Sequence, residues 1–266
     1  MKRSVSENEE ILLSPGYSEI TIDAEKPLEL NFRAAEKSEV YIRIERAQDI
    51  RIRTETEENA SVSYLFWNAA GTEITVDEEH HVKSYGTLRI AYAEINQGSV
   101  KRTAMVTLED EGAYALVSSA VLCASDKHFV VDVVSQSPHT TGIMENYAVV
   151  LEGGKYYMNA TGKIVKGAYG SESHQTSRAL CFDEKQSSTI LPKLLIDEND
   201  VQASHATTLG RVDEDQLYYM QSRGLTQKQC TSLISTGYLM PVTRFIEDET
   251  LKTKLQEEME RKIADL

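Results

Sequence analysis

The chain has 266 residues, with 42 acidic against 28 basic side chains and a formal net charge of −14. A surface this acidic repels phosphate backbones and anionic lipid, which argues against a general role on nucleic acid or a membrane surface and suits a basic protein partner. No apolar run approaches the roughly 18 residues that span a bilayer. The opening stretch MKRSVSENEEILLSPGYSEI carries no hydrophobic segment of the secretory kind, so the expected compartment is the cytoplasm.

Between about residues 17 and 200 the chain is a succession of short segments rich in β-branched and aromatic residues, among them YSEITID, PLELNFR, EVYIRIE, DIRIRTE, SVSYLFW, TLRIAYAEI, HFVVDVV, KYYMNA, GKIVK and PKLLID. Several alternate strictly. Leu28, Leu30 and Phe32 fall on one face with Glu29 and Asn31 on the other, and Val40, Ile42 and Ile44 repeat the arrangement. Polar links such as EEN, DEE, EGG and ATG are expected between strands, and no amphipathic helical window interrupts them. Two architectures remain on this reading, a large antiparallel sandwich and a β-solenoid, because no repeat of fixed length separates them.

The three cysteines, Cys123, Cys181 and Cys230, are far apart and form no CxxC pair, so they read as buried apolar fillers. His80 and His81 in DEEHHVKS are expected in an exposed loop. His128 and His174 have no partner at ligand spacing. EGGKYYMNATGK lacks the arrangement of a phosphate-binding loop.

After Asp213 the pattern becomes helical. DEDQLYYMQSRGL opens with acids suited to a helix N-terminus, presents Leu217 and Met220 three apart, and stops at Gly224. Thr226 can cap a second helix with Gln229 at its third position, and Cys230, Leu233, Ile234 and Tyr238 form its expected stripe. Pro241 suits the first turn of a short segment holding Val242, Phe245 and Ile246. DETLKTKLQEEMERKIADL places Leu251, Leu255, Met259, Ile263 and Leu266 at helical spacing, and such a stripe must be buried on neighbouring helices or on a partner.

Residues 158–238 carry an ordered set of motifs: Gly162–Ile164, then Gln175, Ser177, Leu180 and Asp183, then Pro192, Leu194, Ile196, Asp200 and Val201. Ser204, His205, Ala206 and Thr207 follow, and Leu217, Tyr218, Tyr219, Ser222, Arg223, Gly224, Gly237 and Tyr238 complete it. This order resembles the core of the SufB and SufD proteins of the SUF iron–sulfur cluster assembly system, and VVSQSPHTTG around His139 extends the likeness weakly upstream. The expected chain is a short form without the N-terminal helical domain of longer members.

The resemblance implies a mainly β fold, a right-handed parallel β-helix over residues 1–212 with a small helical domain over 213–266. It also implies pairing with a SufB- or SufD-like subunit or a second copy, and docking of the ABC-type ATPase SufC through the C-terminal helices, with ATP bound only by that partner. A transient iron–sulfur cluster is implied as well. The family's SH.AT histidine makes His205 the expected cofactor and metal ligand, since imidazole suits iron. Thr176 stands where SufB-type members carry a cysteine, and Ala206 where they carry glutamate; both departures point toward the SufD side or toward a divergent form. Thiolates dominate such ligation, which makes Cys181 a second candidate. It lies five residues after Thr176, and an odd offset on a strand puts it on the opposite face.

The expected function is a non-enzymatic scaffold. Two alternatives are a carbohydrate-active enzyme on a β-helix, whose groove would need paired carboxylates, and a structural paralogue without cluster chemistry. The acids here are scattered among turns, with no clustered pair.

Overall fold

A computed structural model describes residues 2–182, 187–245 and 248–264; Asp183, Ile246 and Leu266 lie outside them. The chain alternates between two sheets. The first contains β1 (Lys2–Val5), β3 (Gly16–Asp23), β5 (Ser38–Arg46), β7 (Ser61–Asn68), β9 (Thr87–Glu94), β11 (Tyr114–Cys123), β13 (Thr141–Val150), β15 (Ser171–Cys181) and β17 (Val201–Arg211). The second contains β2 (Glu9–Leu13), β4 (Leu28–Ala34), β6 (Asp49–Thr56), β8 (Ile74–Val82), β10 (Val100–Leu108), β12 (Asp126–Ser135), β14 (Lys155–Ile164) and β16 (Ser187–Ile196). Every ladder joins a strand to its counterpart one turn away, and all are parallel. That settles the architecture as a β-solenoid and removes the antiparallel sandwich.

Alternation chose the strands, and the turns chose their stacking. DEE and ATG lie inside β8 and β14 rather than between strands, and KYYMNA joins GKI in the single strand β14. Strands β1 and β2 are additional to those expected. Their side chains Val5, Ile11 and Leu13 are 2–3% exposed although no further described turn covers them. Turn length changes along the axis. Lys2 lies opposite Glu19 at one end and Thr141 opposite Glu172 near the other, so a turn lengthens from 17 to 31 residues and the solenoid tapers. At the narrow end Val5, Ile11 and Leu13 belong to the same inner hydrophobic cluster as the turns that follow.

One inner column records the change along the axis. Ile20, Ile42, Phe66, Tyr92, Ser119, Asn146, Ser177 and Thr207 stand in register through successive turns, running from apolar through aromatic to polar. A second column forms a corner. Asn59, Tyr85, Gly112, His139 and Gly170 all adopt positive φ, and each donates its N–H to a carbonyl of the next turn. His139 is thus a turn residue.

Helices α1 (Glu214–Ser222), α2 (Gln227–Leu239) and α3 (Glu249–Ala264), with a 3₁₀ turn at Met240–Phe245, follow the last strand. Asp213 caps α1, and Thr226 with Gln229 forms the expected capping box on α2. From α2 onward the chain folds back over the outer face of the first sheet. Leu239, Val242, Leu255, Met259 and Ile263 share a hydrophobic cluster with Tyr41, Leu65, Trp67, Ala91, Ala93 and Leu122. Among the described residues no helix is long and apolar enough to cross a membrane.

Close backbone stacking leaves no room for a side chain at some corners. A Cβ on Gly154 would stand 2.1 Å from the carbonyl oxygen of Cys123, which already accepts the Leu151 N–H at 2.9 Å. Gly153 has φ +78° but open space around it. Gly154→Ala is expected to lower the unfolding free energy by about 2–3 kcal/mol, and Gly153→Ala by about 1 kcal/mol, in urea titrations. Equal losses would show that the approach to Cys123 is not limiting.

Candidate functional site

Charged side chains share the inner parity in the middle of the solenoid. On β8 Glu78 and His80 face inward with Val76 and Val82, and on β10 Arg102 lies between inward Val100 and Ala104. All three are at most 2% exposed. A buried charge left unpaired costs several kcal/mol, so its partners must come from neighbouring turns. Arg102 binds Glu78 through Nη1 and Glu94 through Nη2, the latter at 2.9 Å. Its guanidinium lies 4.2 Å from the Tyr92 ring and 5.5 Å from Phe66. The Tyr92 hydroxyl donates to Glu78 at 2.6 Å, and the Asn68 amide to Glu94 at 2.7 Å.

His80 completes the group. Burial pushes its pKa down to about 3, so the ring is neutral. Nε2–H then donates to Glu78 at 2.9 Å while Nδ1 accepts the Thr54 hydroxyl at 2.8 Å. One turn further on, Lys127 donates to Asn96 Oδ1 at 2.6 Å and to the carbonyls of Asn96 and Gly98. Burial lowers the pKa of Arg102 to about 9, lowers that of Lys127 and raises that of Glu94.

The wide end is the second concentration of chemistry. Ser119, Asn146 and Ser177 form a hydrogen-bonded ladder toward it, at 3.0 and 3.2 Å. Gln175 donates to the Lys193 carbonyl at 2.7 Å, whereas its Oε1 and the Ser173 hydroxyl are buried without a described partner. His205 stands opposite Gln175 on the terminal strand β17. The inward positions Ala203, His205, Thr207 and Leu209 are all exposed there, because no described turn covers them. β16 and β17 end the two sheets, so each presents one row of unpaired backbone N–H and C=O groups. On the outer face His174 Nδ1 lies 2.8 Å from the Ser204 hydroxyl, and Nε2 lies 3.4 Å from Glu172.

A family model described as "SUF system FeS cluster assembly, SufBD core domain" matches residues 16–238. The chain belongs to the SufBD core family. It is 30% identical over 213 residues to the iron–sulfur cluster assembly protein SufD of Bacillus subtilis, which covers 78% of this chain and 49% of that protein. A SufBD family protein of Mycobacterium bovis is 29% identical over 141 residues, covering 52% of this chain and 17% of its own length. SufB of Bacillus subtilis is 25% identical over 139 residues, covering 52% of this chain and 30% of SufB. The likeness is therefore SufD-like, and the chain spans about half the length of the SufD relative.

The SufBD motif residues divide between the two sides of the last strands. Thr176 points outward and Cys181 inward, as the odd offset requires. His205 and Cys181 do not meet. Cys181 is in register with Arg211, six positions beyond His205, which on a strand is about 20 Å. Burial raises the Cys181 thiol and pushes Cys123 up to about 12, so neither is poised as the thiolate that binds metal. Cys123, Val150 and Cys181 stand in register, which puts the two thiols' strands about 10 Å apart, beyond disulfide reach. Among the described residues no group of three or more His, Cys, Asp and Glu side chains is placed to hold a metal.

Two expectations need correction. His80 and His81 are not in an exposed loop: both lie on β8, His80 fully buried and His81 half-exposed against Glu109 at 2.6 Å. The apolar stripe of α2 is rotated from the one expected, since Leu233 is 60% exposed while Ser235, Thr236 and Leu239 are buried beside Cys230. α3 buries its stripe in a cluster shared with α2, the 3₁₀ turn and the sheet, whereas α1 buries nothing and leaves Tyr218 and Tyr219 exposed. The inner network leaves a trace in the sequence, since Glu78, His80 and Arg102 occupy the same alternating positions as Val76, Val82 and Val100. Parity was the available signal.

Arg102→Met strands two buried carboxylates and is expected to destabilise the fold by about 3–5 kcal/mol. Adding Glu78→Gln and Glu94→Gln should recover much of that loss in urea unfolding, and no recovery would mean that charge imbalance is not the cause. His80 is neutral when folded and has an ordinary value of 6.5 when unfolded, so the unfolded chain takes up a proton as pH falls below 6.5. Its contribution is complete above that value and is lost toward pH 3, at up to about 1.4 kcal/mol per pH unit. Urea midpoints between pH 7 and 4.5 should fall less steeply for His80→Gln than for the wild type.

Proposed function

We propose that this chain is a non-enzymatic scaffold subunit of iron–sulfur cluster assembly. It pairs through the open end of its solenoid with a second copy or another SufB- or SufD-like subunit, and docks a SufC-type ATPase through its C-terminal helices. The supporting observation is the uncovered wide end. Two long strands, β16 and β17, expose their edges there beside inward-facing side chains that no described turn covers, and a partner edge satisfies both at once.

The cluster is cargo in this reading, held transiently at the paired mouth. His205 supplies one nitrogen, and the only other candidate proposed, Cys181, is a buried thiol about 20 Å along the sheet. The remaining ligands must come from the partner. ATP is bound by the ATPase, whose docking surface is narrower than the whole helical segment. Tyr218, Tyr219 and Leu233 are exposed, at 74%, 58% and 60%, while the α3 stripe is already buried. The expected compartment is the cytoplasm.

Deleting the helices would uncover the cluster around Trp67, so point changes test the proposal better. Tyr218→Ala with Tyr219→Ala should abolish co-purification with a SufC-type ATPase while leaving the melting temperature unchanged. Ala206→Lys with Thr208→Lys, on the exposed edge, should convert the pair to monomers by light scattering, since like charges meet across the joint. Retained capture and retained pairing would overturn the two contacts respectively. In anaerobic reconstitution with iron and sulfide, His205→Ala should reduce cluster absorbance, and spectra equal to wild type would leave a structural paralogue without cluster chemistry at this residue.

A further inference from the structure

The outer face of the first sheet changes character along each strand. Later outward positions such as Tyr41, Leu65, Ala91 and Leu122 are apolar and lie under the helices. Earlier ones are mostly polar. Glu39, Ser63, Arg89 and Leu116 stand in one cross-strand row through β5, β7, β9 and β11. Arg244 and Phe245 of the 3₁₀ turn form the wall beside that row and leave a groove of about 530 Å³. Sites of this size hold small molecules.

Arg89 distinguishes the groove. It is half-buried, its guanidinium lies 5.8 Å from the Tyr114 ring, and it makes no ion pair with a described residue. Arg43 on the same face is by contrast held by Glu45 and Glu258. Lys37 and Glu39 also line the groove, and each already has a partner. Arg244 engages Glu145 and lies 5.3 Å over the Phe245 ring. Glu39 is two strands from Arg89, about 10 Å, so the guanidinium is not neutralised within its own row.

We propose that this groove binds a phosphate-bearing small molecule. A guanidinium offers the fork that matches two phosphate oxygens, and the hydroxyls of Ser61 and Ser63 line the same wall as further donors. Leu116 and Phe245 receive the apolar body of the ligand. The site is separate from the open end, so its test stands apart from the assembly role.

The full chain is titrated with AMP, adenosine and inorganic phosphate by calorimetry or ligand-observed NMR. AMP is expected to bind saturably and adenosine at least tenfold more weakly, as loss of a charged hydrogen bond implies. Arg89→Gln should weaken AMP about tenfold without changing the melting temperature, and Arg89→Lys should fall between because it keeps the charge and loses the fork. Phe245→Ala should weaken AMP but not phosphate. The proposal is overturned by adenosine binding as well as AMP, by no saturable binding of AMP or phosphate, or by unchanged affinity in Arg89→Gln.

Discussion

Everything in this molecule follows from parallel, in-register stacking. Each residue of a strand sits about 4.8 Å from its counterpart one turn earlier, so a position along the strand becomes a column along the axis. A column is consistent or it is costly. The run from Ile20 and Ile42 through Phe66 and Tyr92 to Ser119, Asn146 and Ser177 is how the interior passes from an apolar end to a polar one. Where a charge enters the interior, side chains of adjacent strands and of the facing sheet must answer it. Arg102 is met in this way by Glu78 of the adjacent strand and Glu94 of the facing sheet, with Tyr92 beneath the guanidinium.

The same stacking has no natural stop. A solenoid ends either by closing on itself or by finding a partner, because each terminal strand carries unpaired backbone groups. At the narrow end the turns are short and Val5, Ile11 and Leu13 stay buried in the inner cluster. The wide end does not close. Its turns are nearly twice as long, its inward positions are exposed, and His205 stands in the last strand. That contrast between the ends underlies the proposed pairing at β16 and β17.

The helices solve a different problem. A sheet face that is apolar on its outer side as well, at Tyr41, Leu65, Trp67 and Leu122, needs cover, and the chain supplies it by folding α2 and α3 back along the solenoid. Glu258 pins α3 in place, accepting from Arg43 at 3.0 Å and from the Trp67 indole at 3.2 Å. Those carboxylate contacts and a neighbouring Lys262 hold Glu258 below the usual carboxylate range despite its burial. An apolar stripe on a terminal helix is thus not by itself a docking surface. The large apolar side chains that the described helices leave exposed are Tyr218 and Tyr219 on α1 and Leu233 on α2.

Strand identity and face were legible in the sequence, because alternation is a local signal with period two and Leu28, Leu30 and Phe32 carry it without help from distant residues. Helix starts were legible for the same reason, since Asp213 and Thr226 act within a few residues of themselves. The motifs from Gly162 to Tyr238 were enough to place the chain in its family. Register was not legible. It depends on corner lengths that vary from turn to turn, and only stacking decides which residues share a column. That is why His80 proved buried against Glu78, why His205 and Cys181 proved far apart on neighbouring strands, and why the stripe of α3 proved buried within its own chain. Local periodicity determined what each segment is; the tertiary structure decided what each segment meets.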